Sequence, residues 1–240
     1  MMATVEIDAP PRVTPALLRW ADTMCPRRLE GMHRDRRGNR PPDVRFRVAN
    51  RVFDSARLAH LELAVPSAAA FSANAGLEPE EQAVYDAAGR WYVALFGDRP
   101  VRAVDLDEWE SPVEAIGVRL VGPGGLPVED AAGRREVRIL RVGPRRPVTG
   151  DPLESIEGRF AVMRAADWAA GGRLRLCVAD LVQGALVECE VDVDEVLERE
   201  LRPWLAERVA VIRERATRPT PRPGLECGQC RYVAGCAAHA

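Results

Sequence analysis

Lysine is absent from this 240-residue chain, so all 34 basic residues are arginines. No mechanism that needs a lysine amine is open to it. Also absent is any apolar run near the ~20 residues that a membrane helix requires, and residues 1–10 carry no secretory hydrophobic segment. Positive charge is not in excess either: 36 acids offset the arginines to a net charge of -2, which argues against a uniformly basic nucleic-acid coat. No internal repeat is found. What remains is an ordinary globular composition, 47% hydrophobic and 29% charged, in a chain long enough to bury a sizeable core. Transmembrane, collagenous and wholly disordered classes fall away, and a cytoplasmic protein with no membrane partner is expected.

The charges are arranged in blocks. Residues 12–57 hold twelve arginines against five acids, and residues 62–114 hold eleven acids against three arginines. Residues 134–146 are basic again, 180–200 acidic and 202–222 basic. Such blocks either pair with one another as solvated faces or converge into one groove for a polyanion.

Thr14-Pro15 is a helix start, a capping hydroxyl followed by proline in the first turn. Arg/Gly/Pro-rich residues 34–42 read as a loop. Val44, Val48, Val52, Ala56, Ala59 and Leu63 share one face of a helix expected over 44–63. Pro79-Glu80-Glu81 opens another, with Val84, Ala87, Trp91 and Leu95 as its apolar face and Gly97 as its stop. Short β-rich runs at 101–106, 113–121 and 136–142 are separated by Gly/Pro turns. A helix over 153–170, a hairpin of 173–182 with 185–191, and a helix over 195–215 divided near Pro203 complete the expectation. The fold class is α/β: a small central mixed sheet flanked by helices. One domain spans 1–240, with a helical part at 11–99, a sheet core with a crossing helix at 100–217 and a cysteine-rich tail at 218–240.

Six cysteines carry the strongest signal. Cys177 and Cys189 sit among apolar neighbours in the hairpin and read as free thiols. Cys227, Cys230 and Cys236 form a C-x2-C-x5-C cluster rich in small residues. Thiolates three positions apart can grip one metal centre from a single turn, and Cys25 in Met24-Cys25-Pro26 is the candidate fourth ligand. Zinc suits four thiolates but usually takes two C-x2-C knuckles, and the second is missing. Three clustered cysteines with one distant partner fit a [4Fe-4S] cube better. Disulfides rank below both, since this is no short chain with a signal peptide.

Cys-Pro-Arg-Arg near the start and Gly-Gln-Cys-Arg-Tyr-Val-Ala-Gly-Cys near the end resemble the iron–sulfur branch of the RecB-like PD-(D/E)XK nucleases, which includes the AddB nuclease domain and the CRISPR-associated RecB-like exonucleases. The likeness of layout covers nearly the whole chain. It implies a restriction-endonuclease-like core and a structural cluster on Cys25, Cys227, Cys230 and Cys236 that staples the two ends. By analogy with a disulfide, closing so long a loop would stabilise by about 4–5 kcal/mol.

The resemblance also implies a glycine four residues before a histidine, a strand aspartate and a D/E-x-K strand, the carboxylates holding Mg²⁺ or Mn²⁺. Here Ala56 to His60 offers the histidine without the glycine, and residues 116–120 offer no carboxylate. Glu136-Val137-Arg138 offers E-x-R; the alternative register Ile139-Leu140-Arg141 lacks even the acid. Arg159 to Arg164 lacks the family's Q-x-x-x-Y pair. Arginine cannot cycle as a base, and a hard divalent cation binds poorly to one carboxylate or none. His60, Glu136 and Arg138 are therefore read as vestigial.

The expected function is a non-catalytic RecB-like protein, stapled by a [4Fe-4S] cluster, that binds nucleic acid or scaffolds a partner. Arg134, Arg135, Arg138 and Arg141 are its nucleic-acid candidates for DNA or RNA. The alternatives are an active metal-dependent nuclease with a Glu136-x-Arg138 centre, and a purely protein-binding subunit of a helicase, repair or defence complex.

Overall fold

The computed structural model describes residues 12–20, 44–62, 64–71, 76–106, 110–122, 124–143 and 149–217. The four cysteines expected to hold the cluster, and the loop expected at 34–42, lie outside the described residues. Cys177 and Cys189 lie within them as free thiols on adjacent strands.

In chain order the elements are β1 (Arg12–Val13), α1 (Pro15–Trp20), α2 (Val44–Leu58), α3 (Pro79–Phe96), β2 (Val101–Ala103), β3 (Glu110–Val113), β4 (Val118–Val121), β5 (Leu126–Asp130) and β6 (Arg135–Arg141). There follow α4 (Ile156–Arg164), α5 (Ala166–Ala169), β7 (Arg173–Asp180), β8 (Ala185–Asp192), α6 (Val193–Val196) and α7 (Arg202–Thr217). The fold is mixed α/β, with two mixed sheets rather than one small one. A three-stranded sheet runs β1-β4-β3, and a five-stranded sheet runs β2-β5-β6-β7-β8. Strands β6 and β7 are parallel, and every other pairing in the larger sheet is antiparallel. The parallel pair needs a crossover, which α4 and α5 supply.

Period-two alternation along the central strands builds a core on each face. Val137, Ile139, Leu174, Leu176 and Val178 pack on one side with Phe160, Met163 and Leu205. Cys177, Ala179, Leu126 and Val128 pack on the other with Val48, Val52, Tyr85 and Tyr92. The run Leu174 to Asp180 is almost continuously buried, as a strand covered on both faces must be. Edge strand β8 is half-exposed and acidic, with Glu188 and Glu190, which discourages edge-to-edge pairing.

Several elements depart from the sequence expectation. Helix α2 stops at Leu58, five residues early, because the chain turns to seat His60: the Ala103 N–H donates to the His60 carbonyl at 2.7 Å. Helix α3 has the expected start and stop but buries the neighbouring face, Glu81, Tyr85, Ala88, Tyr92 and Phe96, leaving Val84 and Trp91 exposed. The polar ends on that face find partners inside: Ser55 and Tyr85 hydroxyls lie 2.6 Å apart, and Arg47 donates to Glu81 at 2.6 Å. The run 113–121 is broken by a 3-10 turn at Glu114–Ile116, closed by left-handed Gly117. Strand β3 meets the expected run 113–121 only at Val113, and β5 lies outside every expected run. Pro127 obscured β5, yet its carbonyl accepts from Val104 N on the β2 side, so its missing N–H costs no bond to β6. The helix expected at 153–170 divides at Ala165, and the last helix divides at a π turn, Leu197–Leu201, just before Pro203.

The N-terminal basic block and the acidic block pair across the fold: Arg47 with Glu81 and Arg57 with Asp105, each at 2.6 Å. No described helix is long and apolar enough to cross a membrane.

The β7–β8 turn depends on Gly184, whose φ is +68° and whose absent Cβ would lie 2.4 Å from the Trp91 ring. Gly184→Ala therefore combines backbone strain with a clash and should cost roughly 1–3 kcal/mol in urea unfolding. Trp91→Ala added to it should recover part of that loss; an unchanged midpoint in the single variant would refute this packing.

Candidate functional site

Strand register explains why a charged cluster sits inside. On β6 the side chains of Glu136, Arg138 and Leu140 share a face, and that face is turned toward α2 and α3. Arg138 lies opposite Cys177 and, one strand further, Glu188; Glu136 lies opposite Arg175 and Glu190. Two rows of polar residues thus cross the sheet beneath Tyr92 and Phe96 of α3.

Arg138 is the centre. Its side chain is 0% exposed. Nε donates to Glu136 Oε1 at 2.5 Å, and Nη1 reaches the Tyr92 hydroxyl at 2.9 Å and His60 Nε2 at 3.2 Å. The guanidinium stacks on the Phe96 ring, 4.1 Å from its centroid, a geometry that partly offsets its desolvation. Glu136 Oε2 faces Arg99 at 3.5 Å and Arg175 at 4.0 Å, and Arg99 donates to Glu188 at 2.8 Å.

His60 is held in one tautomer. Nδ1 stands 3.1 Å from the Ala64 carbonyl, which only accepts, so Nδ1 carries the proton and Nε2 accepts. The Tyr92 hydroxyl, 2.9 Å away, donates to that Nε2 while receiving from Arg138. Burial first, then the Arg138 charge, lower the His60 pKa to about 4. Burial raises Tyr92 to about 12 against the pull of Arg138, and burial pushes the Cys177 thiol up as well. Cys189, half-buried on the opposite face, is pushed up to about 12 by burial and by Asp151. Through neutral pH the imidazole is the neutral form, and the phenol and thiols keep their protons. This cluster is built to hold charge in place, and none of these side chains is poised for proton transfer.

Of the residues singled out from sequence, His60, Glu136 and Arg138 are brought together. Tyr92, Phe96, Arg99, Arg175 and Glu188 complete the site and were missed. For Tyr92 and Phe96 the signal is a second apolar stripe on α3, Tyr85-Ala88-Tyr92-Phe96, beside Val84-Ala87-Trp91-Leu95; for Arg99, Arg175 and Glu188 the sequence holds none. The nucleic-acid candidates do not form one surface. Alternation puts Arg135 and Arg141 on the other face from Arg138, and Arg138 is too buried to meet a polyanion. Arg135 lies over the Trp168 ring at 5.9 Å, Arg134 donates to Asp130 at 2.6 Å, and Arg141 stands 4.0 Å from Glu157 on α4. Glu157 also accepts from Arg19 of α1. Among the described residues no group of three His, Cys, Asp or Glu side chains is gathered as metal ligands would be.

Beside the cluster, at the end of the sheet where β6 begins, a cleft of about 680 Å³ is lined by Arg99, Arg134, Arg135, Glu136, Arg173 and Arg175 among others. No family model matches the chain, and no curated protein matches its sequence.

Because His60 is harder to protonate folded than unfolded, the unfolded chain binds more protons between its ordinary pKa of about 6.5 and the native value of about 4. The contribution of His60 to stability is therefore intact above about pH 6.5 and falls as pH is lowered toward 4. Urea midpoints measured from pH 7 to pH 4 should decline less in His60→Gln than in the native chain; parallel declines would contradict the assignment.

Proposed function

We propose that the chain is a RecB-like PD-(D/E)XK protein whose nuclease centre no longer operates, and that it binds nucleic acid or scaffolds a partner. The observation that carries this reading is the convergence of His60, Glu136 and Arg138, residues 78 positions apart at their extremes, on one buried point. A nuclease of this type would need a divalent cation beside its strand carboxylate. Here an immobile guanidinium occupies the position next to Glu136 and takes up its oxygen. The alternative register fares no better: Ile139 brings no carboxylate, and Arg141 faces Glu157, a carboxylate already bonded to Arg19.

The restriction-endonuclease-like reading also draws support from the sheet, in which a helix crosses between the third and fourth strands. For the [4Fe-4S] staple, α1 and α7 belong to the same hydrophobic cluster, through Leu18 and through Leu205 and Val209. Cys25 follows the end of α1 by five residues and Cys227 follows the end of α7 by ten. The two described helices that precede these cysteines in the chain thus share one hydrophobic layer, which supports the reading. The cluster would supply a cross-link between the ends of the chain and would have no part in a reaction.

Two measurements decide this. Anaerobically purified protein should be brown and carry about four irons and four sulfides per chain; a colourless zinc protein would remove the staple. Incubation with Mn²⁺ and labelled DNA should yield no cleavage, whereas cleavage abolished by Glu136→Ala would overturn the non-catalytic reading in favour of an active Glu136-x-Arg138 nuclease. Salt-sensitive retention of single-stranded or duplex nucleic acid is expected, and its absence at low salt would leave the scaffolding role.

A further inference from the structure

Helix α3 carries two apolar faces, and the described residues cover only one of them. Tyr85, Ala88, Tyr92 and Phe96 are buried, while Val84 and Trp91, one position behind, are 43% and 40% exposed. Half-buried Ala87 and Leu95 continue that second face at helical spacing. Val182, 46% exposed, carries it onto the β7–β8 turn. The same turn holds Trp91 still, because the indole lies against the Gly184 backbone with no room for a Cβ between them. Trp91 is thus a fixed, half-exposed aromatic, the kind of side chain that anchors protein interfaces.

The charges along this face select its occupant. Glu80 stands at its start and Arg90 beside Trp91, both exposed, and neither has an ion-pair partner among the described residues. About 15 Å of helix separates them. A second copy packed parallel would set glutamate against glutamate and arginine against arginine. A copy packed antiparallel, about a two-fold axis near Ala87, does the reverse. Each Arg90 then comes within about one helical turn of Glu80 in the other copy, and each Trp91 lies against Val84 and Ala87 of the other. Ala87 at the axis has no bulk to hold the two helices apart.

We propose that α3 is the contact face of a homodimer, two copies packing antiparallel through Val84, Ala87 and Trp91 with Arg90–Glu80 pairs at both ends. The dimer requires neither nuclease ancestry, nor a metal cluster, nor nucleic acid. A few turns of helix with one hairpin turn make a contact at the small end of specific interfaces, roughly 1,200 Å² in all, so micromolar dissociation is expected.

Sedimentation equilibrium of the full-length, anaerobically purified protein should fit a reversible monomer–dimer equilibrium. Val84→Glu should weaken association at least tenfold and leave cooperative unfolding intact. Glu80→Arg and Arg90→Glu should each weaken it several-fold, since each sets like charges across the seam. An equimolar mixture of those two variants should associate more tightly than either alone, because one copy then supplies both arginines and the other both glutamates. The double variant Glu80→Arg/Arg90→Glu should regain the loss for the same reason. A chain that stays monomeric up to about 1 mM, its second face covered by another of its own segments or kept for a different protein, overturns the proposal. So does a dimer indifferent to Val84→Glu, or a mixture no tighter than its components.

Discussion

One buried ion pair organises this protein. Arg138 and Glu136 are two apart on a central strand, so both point into the layer between the sheet and helices α2 and α3. Neither tolerates that environment alone. Together they fix the positions of their neighbours: the Tyr92 hydroxyl meets Nη1, His60 presents Nε2, the Phe96 ring lies beside the guanidinium, and Arg99 faces the second carboxylate oxygen. The early end of α2 and the choice of buried face on α3 are both consequences of this arrangement.

The same constraint bears on function. A strand carboxylate with one oxygen bonded to a fixed cation is a weakened ligand for a hard metal ion, and a histidine whose pKa lies near 4 is neutral and has no proton to give as an acid at neutral pH. What the cluster presents at the edge of an open cleft is arginines interleaved with the carboxylates that pair with them.

Much of the framework was legible in the chain. Thr14 caps α1 through its hydroxyl, Pro79 opens α3, and the β7–β8 hairpin turns at Gly184. His60, Glu136 and Arg138 could be named because each stood at a position that the nuclease resemblance singled out. Burial of an arginine could not be read locally: on an exposed strand the same Arg-Glu-Val-Arg would alternate into solvent, and only the helices covering both faces forbid it. Tyr92 was hidden for the opposite reason. Periodicity ranks Val84 and Trp91 above tyrosines, whereas the interior accepts tyrosine once its hydroxyl has a partner on another element. Strand β5 was hidden by Pro127, whose lost donor lies on the β2 side, where Val104 already bonds the Pro127 carbonyl, and not on the β6 side.

The central claim is that Arg138 and Glu136 are mutually required inside the fold, and a double-mutant cycle measures that directly. Glu136→Leu should cost about 3 kcal/mol or more in denaturant unfolding, because it leaves the buried Arg138 without its carboxylate, and Arg138→Met should cost less, because Arg99 and Arg175 still face Glu136. The double variant should lose clearly less than the sum of the two. Near-neutral single variants, or costs that simply add, would show that the two side chains do not depend on each other and would contradict the account.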